Sequence, residues 1–175
     1  MRCSSITVIM LGIFLFLFCL LFVPFHEALS FYKQHTNHLE AYLSIRKGDC
    51  FHITFTHSIH LTDVVEKYEV TEDKQIKQYE IVFEQFGIGM PANTEEAGEI
   101  FLYENGKYYI KNMNRLFPSI HLRNGKTVSN HRLIWGDRGE KIVSFNEYFD
   151  PGARLTLKIE KLSLWQRLKG EKIDE

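Results

Sequence analysis

Between residues 39 and 161 apolar and polar side chains alternate with a period of two. That period is the strongest constraint on the fold, because successive side chains of a strand point to opposite faces whereas a helix repeats about every 3.6 residues. Leu39, Ala41, Leu43 and Ile45 make one apolar row, ended by the turn-forming Arg46-Lys47-Gly48-Asp49. Phe51, Ile53 and Phe55 make the next, Val64, Tyr68 and Val70 a third, and Tyr79, Ile81 and Phe83 a fourth. Asn105-Gly106, between the short runs 100–103 and 107–111, has hairpin chemistry, since both central residues of a type I′ turn need positive φ. Further strands are predicted near 119–123, 131–135, 142–145 and 154–161, with Asn124-Gly125 and Asp150-Pro151-Gly152 as turns. About nine short strands with no long helix between them predict an all-β fold, an antiparallel β-sandwich or barrel.

Residues 1–25 obey a different rule. From Ile6 to Phe25 no residue is charged, and such a run, if helical, spans roughly one 30 Å hydrocarbon core. We read 1–25 as a retained N-terminal membrane anchor in preference to a cleaved signal, whose apolar stretch is about 7–15 residues, although Ala28-Leu29-Ser30 has cleavage-site chemistry. Arg2 precedes the run, which predicts an internal N-terminus and a single-pass protein of the cytoplasmic membrane with an extracytoplasmic C-terminal domain. Residues 26–38 read as a tether, 39–161 as the β domain, and 162–175 as a tail. The stretch 162–169 offers two helical turns clustering Leu164, Trp165 and Leu168, taken as a peripheral cap rather than a membrane-surface segment.

All 22 acidic residues and all but one of the 21 basic ones lie beyond the apolar run, so the head is near neutral and lacks the basic excess that nucleic-acid binding requires. Cys3 and Cys19 belong to the membrane end, which leaves Cys50 alone in the head, expected as a small core residue and unable to form an intradomain disulfide.

The segment 57–66 concentrates ionisable groups. His57 continues the odd-numbered apolar row of Phe51, Ile53 and Phe55, and Glu66 interrupts the even-numbered row of Val64, Tyr68 and Val70. A charge facing the core needs a partner, and the candidates are each other, with Arg115, Arg123 or Arg132 further off. Two readings stand: a buried polar pair that fixes strand register, or a binding site made of His57, Ser58, Thr62 and Glu66. If 60–63 closes a hairpin, His57 lies directly opposite Glu66, Phe55 opposite Tyr68 and Ile53 opposite Val70. A metal-assisted hydrolase using His52, His57, His60 and Glu66 is the enzymatic alternative. Alternation puts His52 and His57 on opposite faces and no paired ligand motif is present, so no catalytic residue, metal or cofactor is expected. An interaction module of the cell envelope with no small ligand is the third class.

Phe55-Thr56-His57-Ser58-Ile59, then Thr62 and Glu66, then Gly87-Ile88-Gly89-Met90-Pro91, resemble an extracytoplasmic family catalogued as domain of unknown function 1850. The resemblance is closest over 48–91 and looser to about residue 161. His57, Ser58, Glu66, Gly87, Gly89 and Pro91 match its motif positions, while His60 and Asp63 stand where many members carry an acidic residue and a proline. The resemblance implies an accessory role beside TAXI-type TRAP transporters of small organic anions, with a TRAP-type permease or a TAXI solute-binding protein as partner. It also makes 87–91 a candidate loop of the site.

Overall fold

A computed structural model of the chain describes residues 2–87, 89–91 and 93–174, with backbone alone for 2–6. Ile88 of the candidate loop, Glu175 of the tail and the side chains of Arg2 and Cys3 lie outside the described residues. The described residues are mostly β, twelve strands in two sheets that close as a sandwich rather than a barrel. The strands are β1 (His26–Lys33), β2 (Leu39–Ser44), β3 (Cys50–Thr56), β4 (Asp63–Val70), β5 (Ile76–Phe83), β6 (Ile100–Glu104), β7 (Lys107–Phe117), β8 (Ile120–Arg123), β9 (Arg132–Trp135), β10 (Lys141–Ser144), β11 (Arg154–Leu162) and β12 (Glu171–Lys172). One sheet has the order β12-β2-β1-β11-β8, the other β10-β9-β3-β4-β5-β7-β6.

Between the sheets, Phe31, Leu155 and Leu157 from one side meet Phe51, Ile53, Tyr68 and Leu133 from the other. A satellite core of Val64, Ile81, Phe83, Ile110 and Met113 continues along the larger sheet. The hairpin at Asn105-Gly106 forms as expected, with φ of 52° and 78° and Glu104 paired with Lys107.

Three expectations are corrected. Residues 26–38 are not a tether: they form β1 and its turn into β2, and β1 lies between β2 and β11. The strand is buried on both faces from Ala28 to Tyr32, so it shows no alternation. With β1 and the short β12, neither of them expected, the described residues hold twelve strands rather than about nine. Cys50 opens β3 on the exposed surface instead of filling the core.

A helix, α1 (Arg2–Phe22), precedes the sandwich, and only residues 23–25 separate it from β1. Its described side chains, residues 7–22, include no charged group and cover about 24 Å at about 1.5 Å per residue. Among the described residues no helix is long and apolar enough to cross a membrane. The tail forms a single helical turn, α2 (Leu164–Arg167), capped by Ser163 and Gln166, then β12 in parallel on β2.

Candidate functional site at the β3–β4 corner

β3 and β4 pair in a register different from the expected one. Phe55 faces Val64, Ile53 faces Glu66 and Phe51 faces Tyr68, so the connection is six residues, 57–62, and not four. His57 is therefore not opposite Glu66; it begins the loop. The reason is local chemistry. The His57 N–H donates to the Thr62 carbonyl at 2.8 Å and the Leu61 N–H to the His57 carbonyl at 2.9 Å, closing a tight turn with Leu61 at φ 56°. His57 Nδ1 accepts from the backbone N–H groups of Ile59 and His60 at 3.4 and 3.5 Å. The imidazole thus organises the corner from within, and His57 is only 8% exposed.

His60 folds back over it, the two rings stacked with centroids 5.0 Å apart and planes 20° from parallel. These two histidines converge because His60 belongs to the loop and not to a strand. His52 stays apart on the other face of β3, its Nε2 3.4 Å from the Tyr79 hydroxyl. Among the described residues no group of three or more His, Cys, Asp or Glu side chains is placed to hold a metal ion.

The candidate loop packs on this imidazole pair. A Cβ on Gly87 would lie 2.6 Å from His60 Nε2 and 3.1 Å from His57 Cε1, so glycine is what lets the backbone approach. Gly89 has φ 89° within the turn marked by the Met90 N–H to Gly87 carbonyl bond of 3.0 Å. Phe86, next to Gly87, roots the loop on Tyr108 and Phe83, at centroid distances of 4.3 and 5.4 Å.

Glu66 stands further along β4, where a groove of about 350 Å³ opens between the sheet and the same loop. Glu66, Gln78 and Arg115 line its sheet side, with Gly89, Pro91 and Glu95 across from them. The Tyr68 hydroxyl donates to Glu66 Oε2 at 2.8 Å. Burial pushes the Glu66 carboxyl above the usual carboxylate range, and that hydrogen bond only partly offsets it. Tyr68 is driven up in turn, by burial first and by the neighbouring carboxylate second.

Arg115, a candidate partner for Glu66, is engaged elsewhere. It donates through Nε and Nη2 to Glu99 Oε1 at 3.1 and 3.0 Å and lies 3.2 Å from Glu95. Arg132 pairs with Asp63 at 2.7 Å, and Arg123 lies on β8 in the other sheet. Gln78, Glu95 and Glu99 were not legible in the sequence; the four-residue spacing of the two glutamates was the only signal, and such spacings are common. Ser58 is exposed, and Thr62 contributes its backbone carbonyl to the turn. A second cavity, of about 300 Å³, lies between the turns around Gly48 and Gly136 and contains none of the motif residues.

The molecule is thus a two-sheet β-sandwich with a glycine loop laid over a histidine-organised corner and a carboxyl-lined groove. The chain belongs to the family described as Domain of unknown function (DUF1850), whose model matches residues 51–142. That segment carries nearly all of the seven-stranded sheet and every motif residue, while β1, β2, β11 and β12 lie outside it. No curated protein and no solved structure matches the chain.

Proposed function

We propose that this chain is a non-enzymatic accessory or binding module, held by α1 at the outer face of the cytoplasmic membrane and serving a TAXI-type TRAP transporter. The observation that carries the reading is the corner itself. Gly87 packs against the imidazoles of His57 and His60, and Ile59 and Leu61 of the same turn are 61% and 66% exposed. Two large apolar side chains held out by an ordered turn beside a polar groove suit a protein partner. The corner also lies away from α1. The turn at 46–49 shares a groove with Phe25 and His26, and β3 runs seven residues from that turn, roughly 23 Å, to reach His57.

Charge indicates which part the module plays. Among the described residues that line the groove, Arg115 is the one cation and is already held by Glu95 and Glu99, while Glu66 adds a further carboxyl, an unfavourable setting for a free organic anion. Docking of the transporter's own components fits better than capture of the solute. Support for the anchor comes from the uncharged run, the exposed apolar side chains along α1 and the short link to β1.

When the neighbouring genes are expressed together, the protein should co-purify from the membrane fraction with a TRAP-type permease or its solute-binding protein. Failure to associate under mild crosslinking, with transport unaltered by deleting this gene, would remove the transporter role.

A further inference from the structure

The exposed apolar residues at the opposite end of the head form a second surface. We propose that α2 and its flanks are a lipid-facing foot, seated in the headgroup region of the phospholipid bilayer that α1 enters. The inference rests on the membrane reading above and adds a contact that an anchor alone does not require.

The argument begins with the join between helix and head. The Phe25 N–H donates to the Leu162 carbonyl at 3.2 Å, and His26 then pairs with Leu162 as the first rung of β1 on β11. The next residue, Ser163, caps α2 through a reciprocal capping box with Gln166. The exit of α1 and the entry of α2 are therefore fastened to one backbone position, and the head has no slack to stand away from the helix end. Phe22 in the last turn of α1 meets Trp165 of α2, ring centroids 6.0 Å apart.

The side chains at this join have interfacial chemistry. Trp165 is 43% and Leu168 70% exposed, and Phe25 is also open to solvent. Lys169 places its Nζ 4.6 Å from the Trp165 ring centroid, and Arg167 flanks the same turn. α2 itself contains no acidic residue, and beyond it Asp174 holds Lys172. An aromatic and a leucine with adjacent cations, and no acid within the helical turn, match a layer of acyl chain ends beneath phosphates. A protein partner would need to reach a surface crowded by the end of α1, so the bilayer is the occupant that the connectivity favours.

The test uses the full chain in vesicles of phosphatidylcholine and phosphatidylglycerol, with bromine on shallow or deep acyl carbons as a quencher of tryptophan emission. The wild-type protein is compared with Trp165→Phe, a change at an exposed position that leaves the fold intact. Shallow bromine should quench the wild type several-fold more strongly than Trp165→Phe, and deep bromine much less, placing the Trp165 ring roughly 5–10 Å into the boundary. Equal quenching of the two proteins, while both resist alkaline carbonate extraction, would overturn the foot and leave the anchor standing. Loss of both proteins from the vesicles on carbonate treatment would overturn the anchor and the foot with it.

Discussion

Phe31→Ala should lower the stability of the head by about 3–5 kcal/mol, the cost of emptying a phenylalanine site in a closed core. Phe31 is wholly buried, 5.2 Å from the Phe149 ring and 6.0 Å from that of Phe145 by centroid. It lies in β1, which bridges β2 and β11, so its loss reaches both neighbours. A domain of this size is stabilised by only about 5–15 kcal/mol, so the substituted protein should be largely unfolded at moderate denaturant. Chemical denaturation followed by near-ultraviolet dichroism checks this. An unchanged midpoint would mean that 26–38 is a tether after all and that β1 adds nothing to the core.

Glu66→Gln should act in the opposite direction, raising stability at neutral pH by about 1–3 kcal/mol, because it removes a desolvated charge while keeping an oxygen to accept from the Tyr68 hydroxyl. The pH dependence follows from the sign of the shift. Burial raises the folded-state pKa of Glu66 above its unfolded value, so the folded state holds the proton more tightly. The stability linked to that proton is complete below the unfolded pKa and is lost as pH rises through the folded pKa. Wild type and Glu66→Gln should therefore converge at acidic pH and diverge above about pH 4.5, where the unfolded carboxyl ionises. Thermal unfolding across that range measures the difference. A Glu66→Gln protein that is less stable at every pH would mean that the carboxylate is paired, contrary to the engagement of Arg115 by Glu95 and Glu99.

The two substitutions mark where the sequence was readable and where it was not. About nine strands announced themselves by alternation or by the turns that bound them. β1 did not, since Ala28, Ser30 and Tyr32 are covered on one face and Leu29 and Phe31 on the other. On the outer face Ala28 and Tyr32 cluster with Leu39, Tyr42 and Leu162 of the flanking strands, and the tail packs over them, Arg167 on the Tyr42 ring and Gly170 against Leu39.

The register of β3 on β4 shows a similar limit. Apolar rows require odd positions of one strand to oppose even positions of the other, and that parity is present. Widening the connection by two residues keeps the same faces inward, so alternation cannot choose between a four-residue and a six-residue connection. The choice was made by His57 Nδ1 capping the turn and by Leu61 adopting positive φ. The groove was partly legible. Glu66 betrayed itself as a carboxyl in an apolar row and Arg115 was a candidate partner for it, whereas Gln78 arrives through the sheet order and Glu95 from the loop before β6.

Leu61 shares with Glu66 the property of working against local stability. A bulky side chain at φ 56° is strained, and at 66% exposure it gains nothing from burial to offset that strain. Asparagine tolerates the left-handed conformation, so Leu61→Asn preserves the turn while deleting the apolar rim. The decisive measurement is retention of the transporter components by Leu61→Asn protein purified from membranes, alongside its melting temperature. If the corner is the docking surface, the melting temperature holds or rises and the partner is lost. A partner retained at wild-type levels, with the fold equally stable, would contradict the assignment of this corner as the working site.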